Sequence, residues 1–120
     1  MFPITHIKGT SMEVTDTLRS LIEQKFSTLE KHIGDETDIT CDIELEKMTG
    51  SQSGDIYRAE ANVRFHGKMY RAEATTDQIE KSIDEVKNEM DRELRRANNK
   101  VRTAIRKGGA RLKNMLRFGK

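Results

Sequence analysis

The spacing of apolar residues changes period twice along this chain, and each change predicts a new kind of element. Residues 3–8, PITHIK, form a short β-branched run closed by Gly9, which reads as a first strand. Leu18, Leu21, Ile22, Phe26, Leu29 and Ile33 then recur at three- and four-residue intervals, the signature of one helical face. Thr15 stands where an N-cap belongs, Asp16 where the helix dipole favours an anion, and Gly34 where a left-handed residue can end the helix. From residue 39 the period falls to two. Ile39, Cys41, Ile43 and Leu45 alternate with Thr40, Asp42, Glu44 and Glu46. After the turn TGSQSG (49–54), Tyr57, Ala59, Ala61, Val63 and Phe65 alternate with Arg58, Glu60, Asn62 and Arg64. His66-Gly67 makes a short turn, and Tyr70, Ala72 and Ala74 continue the apolar face in a further strand. These three strands predict an antiparallel meander with one dry and one wet face. Cross-strand pairing accounts for the mixed charges of the wet face, to which we assign no function.

The period then returns to that of a helix. Ile79, Ile83, Val86, Met90, Leu94, Ala97, Val101 and Ile105 form a continuous stripe. Asp77 and Glu80 have capping-box spacing, and Gly108-Gly109 are expected to stop the helix. About 30 residues at 1.5 Å each extend roughly 45 Å, more than a four-stranded sheet covers, so the last turns should project beyond the body. The order β-α-β-β-β-α predicts an α+β fold, a two-layer sandwich with a four-stranded sheet and both helices on its apolar face. A chain of 120 residues suffices for one such core. The division expected is a domain at 1–107 followed by a short, flexible basic tail at 108–120.

Charge sharpens this picture. Residues 1–100 hold 15 basic and 20 acidic groups, whereas 101–120 hold seven basic and none acidic. Lys81, Arg92, Arg95, Arg102 and Arg106 fall on the side of the second helix opposite its apolar stripe, with Arg96 and Lys100 on the flank. Up to Glu93 these cations are diluted by Asp84, Glu85 and Asp91; beyond it no acid remains to pair with them. The segment 95–107 therefore reads as phosphate-binding, since each Lys or Arg set on a phosphate releases a condensed counterion. In the tail, Leu112, Met115, Leu116 and Phe118 alternate with cations. That pattern suits a nucleic-acid groove or a membrane surface, although it is short and without a second anchor for the latter.

Catalytic chemistry finds little support. His6, His32 and His66 are scattered, with no HxxxH or CxxC spacing, so neither a metal nor another cofactor is expected. Proximity to a helix C-terminus explains His32, and a turn explains His66. Cys41, the one cysteine, excludes an internal disulfide and reads as a small buried hydrophobe. There is no glycine-rich phosphate loop, signal-like leader or 18-residue apolar span, so a non-enzymatic, soluble, cytoplasmic protein without membrane contact is expected.

Several segments resemble the ribosome hibernation promoting factor family, also called ribosome-associated inhibitor A. They are Val14-Thr15-Asp16 leading to Leu18-Arg19, Leu29-Glu30-Lys31, Arg71-Ala72-Glu73-Ala74 and Ile83-Asp84-Glu85, spread over roughly residues 2–100. The resemblance implies a fold similar to double-stranded-RNA-binding domains. It also implies docking on ribosomal RNA of the small subunit, in the channel of messenger RNA and the A- and P-site transfer RNAs. Idle ribosomes would be silenced there in stationary phase or stress.

Carried over by position, the RNA-binding residues are Arg19, Lys25 and Lys31 on the first helix and Arg92, Arg96 and Lys100 on the second. Arg95, Arg102 and Arg106 extend that patch by helical geometry alone. Glu80, Glu89 and Thr28 depart from the family pattern, which commonly has an aromatic residue at the first position and cations at the other two. Long members carry a separate dimerising domain, for which this length leaves no room. A monomer off the ribosome, with no DNA partner, is the expectation. The competing readings are a general double-stranded-RNA binder or RNA chaperone, and a regulatory module that uses its charged helices against a protein.

Overall fold

The computed structural model describes residues 2–34, 36–49 and 54–118, with side chains described through residue 100. Strand β1 (His6–Thr10) leads to helix α1 (Asp16–Phe26), which tightens into a 3-10 helix at Ser27–His32. Strands β2 (Thr40–Lys47), β3 (Tyr57–Phe65) and β4 (Lys68–Thr76) follow, and then helix α2 (Ile79–Phe118). The sheet order is β1-β2-β3-β4, with β1 parallel to β2 and the later pairs antiparallel. This is the two-layer α+β sandwich that the alternation of periods predicts.

The inward residues of the strands and the apolar stripes of the helices meet in one core. Ile22, Leu29, Cys41, Leu45, Ala61, Val63, Met90 and Leu94 are all at 0% exposure, so both layers contribute to the dry interface. Burying each large side chain contributes roughly 1.5–3 kcal/mol relative to exposure. Thr15 caps α1 as its position suggests, its Oγ1 accepting the Leu18 N–H at 3.1 Å. Gly34 ends the segment with φ +57°, a conformation that suits a residue without Cβ. His66 and Gly67 both have positive φ, 53° and 73°, which makes the β3–β4 connection a two-residue turn matched to strand twist.

Local readings needed correction at several places. β1 begins at His6 and includes Gly9, rather than stopping there. A Cβ on Gly9 would lie 2.4 Å from the Met12 carbonyl oxygen, so this glycine admits the returning chain instead of ending the strand. The start of α2 is fastened by two hydroxyls that the pattern did not single out. Buried Ser82 donates to the Tyr57 carbonyl at 2.6 Å and lies 2.7 Å from Thr76 Oγ1, which accepts the Gln78 N–H at 3.2 Å. Finally, α2 continues through Gly108 and Gly109 to Phe118. Two glycines weaken a helix by about 1 kcal/mol each relative to alanine but do not by themselves break its hydrogen bonds. The buried positions of its described part end at Ala97. The turn at 50–53 lies outside the described residues, as do the side chains of Arg102, Arg106 and the whole 108–120 segment.

Candidate nucleic-acid interface

The two faces of the molecule treat charge differently. On the outer sheet face, Lys8, Glu44, Glu60 and Glu73 stand in one cross-strand row. Three carboxylates abreast would repel. Arg58 resolves this by reaching Glu73 at 2.8 Å, Glu46 at 3.0 Å, Glu60 at 3.1 Å and Glu44 at 3.5 Å. Arg71 bridges Glu60 and Glu73. Burial opposes the charge on Arg58, yet the Glu73 hydrogen bond and the surrounding carboxylates hold it firmly protonated. The Thr10 hydroxyl, outweighing partial burial and aided by Arg58, keeps the Glu44 carboxyl below its usual range. This face neutralises itself.

The helix layer is organised by two latches of the same register. Lys25 Nζ meets Asp84 Oδ1 at 2.9 Å, and His32 Nε2 meets Asp91 Oδ1 at 2.7 Å, each pair 59 residues apart in sequence. The first helical segment and α2 therefore run side by side in the same direction. His32 is only 8% exposed, so it is a structural tie between the two helical segments rather than only a dipole complement. Around Asp91, burial disfavours the carboxylate, but His32, Lys31 and Arg95 together hold its pKa below the usual range. Lys31 and Arg95 thus belong to one cluster at this end of the seam.

The remaining cations are placed differently. At 100° per residue, Asp84, Lys87, Asp91 and Arg95 share the flank of α2 that faces α1, while Arg92, Arg96 and Lys100 share the other. On that second flank a groove is lined by Glu73 and Ala74 of β4 with Glu85, Asn88, Glu89 and Arg92 of α2. Arg19 is exposed and, by the same geometry, lies on the flank of α1 opposite Lys25. Of the candidates, then, Lys25, Lys31 and Arg95 meet along the seam, Arg92, Arg96 and Lys100 form a separate row, and Arg19 stands apart.

The expectation that Arg95 and Arg96 lack acidic partners is corrected. Arg95 comes to 4.0 Å from Asp91 and Arg96 to 3.6 Å from Glu93, each one turn back, and Arg92 pairs with Glu89 at 2.8 Å. These acids stand before residue 95, outside the segment whose lack of acids suggested unpaired cations. Arg92 and Arg96 are about half to two-thirds exposed, at 49% and 67%. Exposed pairs of this spacing contribute only about 0.2–0.5 kcal/mol, so an incoming phosphate can displace them.

Elsewhere, Cys41 is sealed in the core, where burial, with Asp42 nearby, pushes its thiol up to about 12. Among the described residues no group of three or more metal-ligating side chains is assembled. No described helix is long and apolar enough to cross a membrane. Open grooves lie along α1, between the helical segments, and between α2 and β4.

Fold and surface together define a small α+β domain that presents two adjacent helices as a charged, open layer. Residues 5–102 match the family described as sigma 54 modulation protein / S30EA ribosomal protein, and the chain belongs to that family. It is 30% identical over 107 residues to the ribosome hibernation promotion factor of Lactococcus lactis subsp. cremoris (strain MG1363), an alignment covering 86% of this chain and 56% of that protein. With the Staphylococcus aureus (strain COL) ribosome hibernation promotion factor it shares 23% over 103 residues, covering 86% and 52% respectively. The chain thus spans about half the length of these curated relatives.

Two solved structures share the fold. The Protein Y N-terminal domain of Thermus thermophilus superposes with a TM-score of 0.69 at 22% identity, covering 80% of this chain and 99% of its own. A ribosomal subunit interface protein from Coxiella burnetii gives 0.62 at 20%, covering 79% and 99%.

Proposed function

We propose that this protein is a non-catalytic ribosome-binding translation inhibitor of the hibernation type. It docks its helix layer on ribosomal RNA of the small subunit, in the path of messenger RNA and the A- and P-site transfer RNAs. In this reading it acts in the cytoplasm as a monomer, on ribosomes idled by stress or stationary phase, and needs no cofactor. Membership of the family supports it, as do the names of the relatives.

The observation that carries the reading is the way charge divides along α2. Residues 79–91 hold five carboxylates against two lysines, whereas residues 92–118 hold ten cations against Glu93 alone. Such a helix suits a phosphate backbone best along its second half, where cations outnumber acids. The row Arg92, Arg96 and Lys100, with Lys31 and Arg95 beside the seam, forms the described part of the contact. Arg19 and Lys25 are further contacts on α1, and Arg102 and Arg106 continue the series beyond the described side chains.

Binding driven by phosphates depends steeply on salt. If about six are neutralised, raising salt from 50 to 200 mM costs on the order of a thousandfold in affinity. Cosedimentation with purified small subunits across that range tests this, with naked RNA duplexes as the comparison. Replacing Arg92, Arg96 and Lys100 by Glu is expected to abolish both cosedimentation and inhibition of in-vitro translation in a protein that stays folded. Salt-independent binding, equal affinity for naked duplexes, or full inhibition by the triple variant would overturn the proposal.

A further inference from the structure

The seam between α1 and α2 contains one position that the two latches leave open. Lys25–Asp84 and His32–Asp91 share an offset of 59 residues, and the same offset sets Thr28 opposite Lys87. At this position the 3-10 helix offers a hydroxyl and no carboxylate. On its own face of α2 the acids one turn from Lys87 are Asp84 and Asp91, three residues before it and four after, but each is engaged across the seam. Among the described residues no ion pair engages Lys87. Together with Leu21, Gln24, Lys25 and Thr28 it lines an open groove of ≈ 270 Å³.

We propose that this groove seats one phosphate of ribosomal RNA and that Lys87 carries the contact, an inference that rests on the function proposed above. Four cations from two helices, Lys25, Lys31, Lys87 and Arg95, gather along the seam against the two carboxylates of the latches. A backbone phosphate entering between the latches meets the Lys87 ammonium directly. Lys25 is already shared with Asp84, and the Gln24 carboxamide adds a neutral donor. The Thr28 hydroxyl donates to the Lys25 carbonyl at 2.8 Å, so it shapes the groove rather than holding the anion. Leu21 gives the groove an apolar wall, which lowers local hydration and strengthens a charge contact made there.

Lys87 was not among the candidates drawn from the sequence, and on a helical wheel it borders the apolar stripe. Only the position of α1 turns that border into a groove.

The test compares the 120-residue chain with Lys87→Gln and with Lys81→Gln, a control whose lysine is exposed and sits 3.5 Å from Asp77. Affinity for purified small subunits is measured from 50 to 200 mM salt, with thermal unfolding as the check on folding. Loss of one phosphate contact lowers the slope of log affinity against log salt by about 0.9. The advantage of the parent over Lys87→Gln should therefore shrink roughly three- to fourfold across that range, while Lys81→Gln follows the parent. A parent slope in Lys87→Gln, or the same reduction in Lys81→Gln, would overturn the seat while leaving the function standing. Failure of the parent itself to bind at low salt would overturn both.

Discussion

Replacing Asp91 by alanine tests whether the latch at His32 holds the two helical segments together. The carboxylate lies 2.7 Å from His32 Nε2, and their side chains are 24% and 8% exposed. Alanine leaves a buried imidazole nitrogen without its partner and separates Lys31 and Arg95 from the anion between them. An unsatisfied buried polar group costs about 1–3 kcal/mol, and the partial exposure of Asp91 puts the expected value near the middle, at about 2 kcal/mol.

The pH dependence follows from the direction of the shift at Asp91. Burial disfavours the charged form, but His32, Lys31 and Arg95 favour it more, so its folded pKa lies below the usual aspartate range. The stabilisation is therefore complete above the unfolded pKa, and it is lost as pH falls through the folded value. Urea unfolding at pH 7, 5, 4 and 3 should show the variant about 2 kcal/mol less stable at pH 7 and 5, with the gap narrowing below pH 4. A gap under about 0.5 kcal/mol at pH 7, or one undiminished at pH 3, would refute the latch. A parent-like melting curve for His32→Ala would do the same.

Two further outcomes are expected. Arg58→Ala removes the cation that four glutamates share, Glu44, Glu46, Glu60 and Glu73. The loss of stability should be on the order of 1–3 kcal/mol and partly restored by added salt, because the remaining repulsion is screened; a loss indifferent to salt would mean that packing of the arginine stem dominates. Cys41 should resist thiol reagents in native buffer at pH 8, since a thiol with a pKa of about 12 at 0% exposure is almost wholly protonated and unreachable. Its labelling should follow unfolding, and modification as fast as that of a free thiol would contradict the packing.

Local patterning determined a good part of this protein. Alternation over residues 39–45 and 57–74, and three-to-four spacing over 18–33 and 79–97, named which residues enter the core, because burial depends first on the side to which a backbone period sends each side chain. Thr15 and Gly34 were legible as helix ends for a similar reason, since their roles involve only neighbouring residues. The excess of cations beyond Glu93 needed only counting.

Tertiary structure decided what those local elements do to one another. That α1 and α2 lie in register is invisible along the chain, because residues 59 apart share no period. Hence His32 and Asp91 form a tie, Lys87 borders a groove, and Arg19 is separated from Lys25, although a single list of basic residues had treated these cations alike. Electrostatic energy depends on distance between side chains, and distances between two helices side by side arise only when the fold brings the helices together.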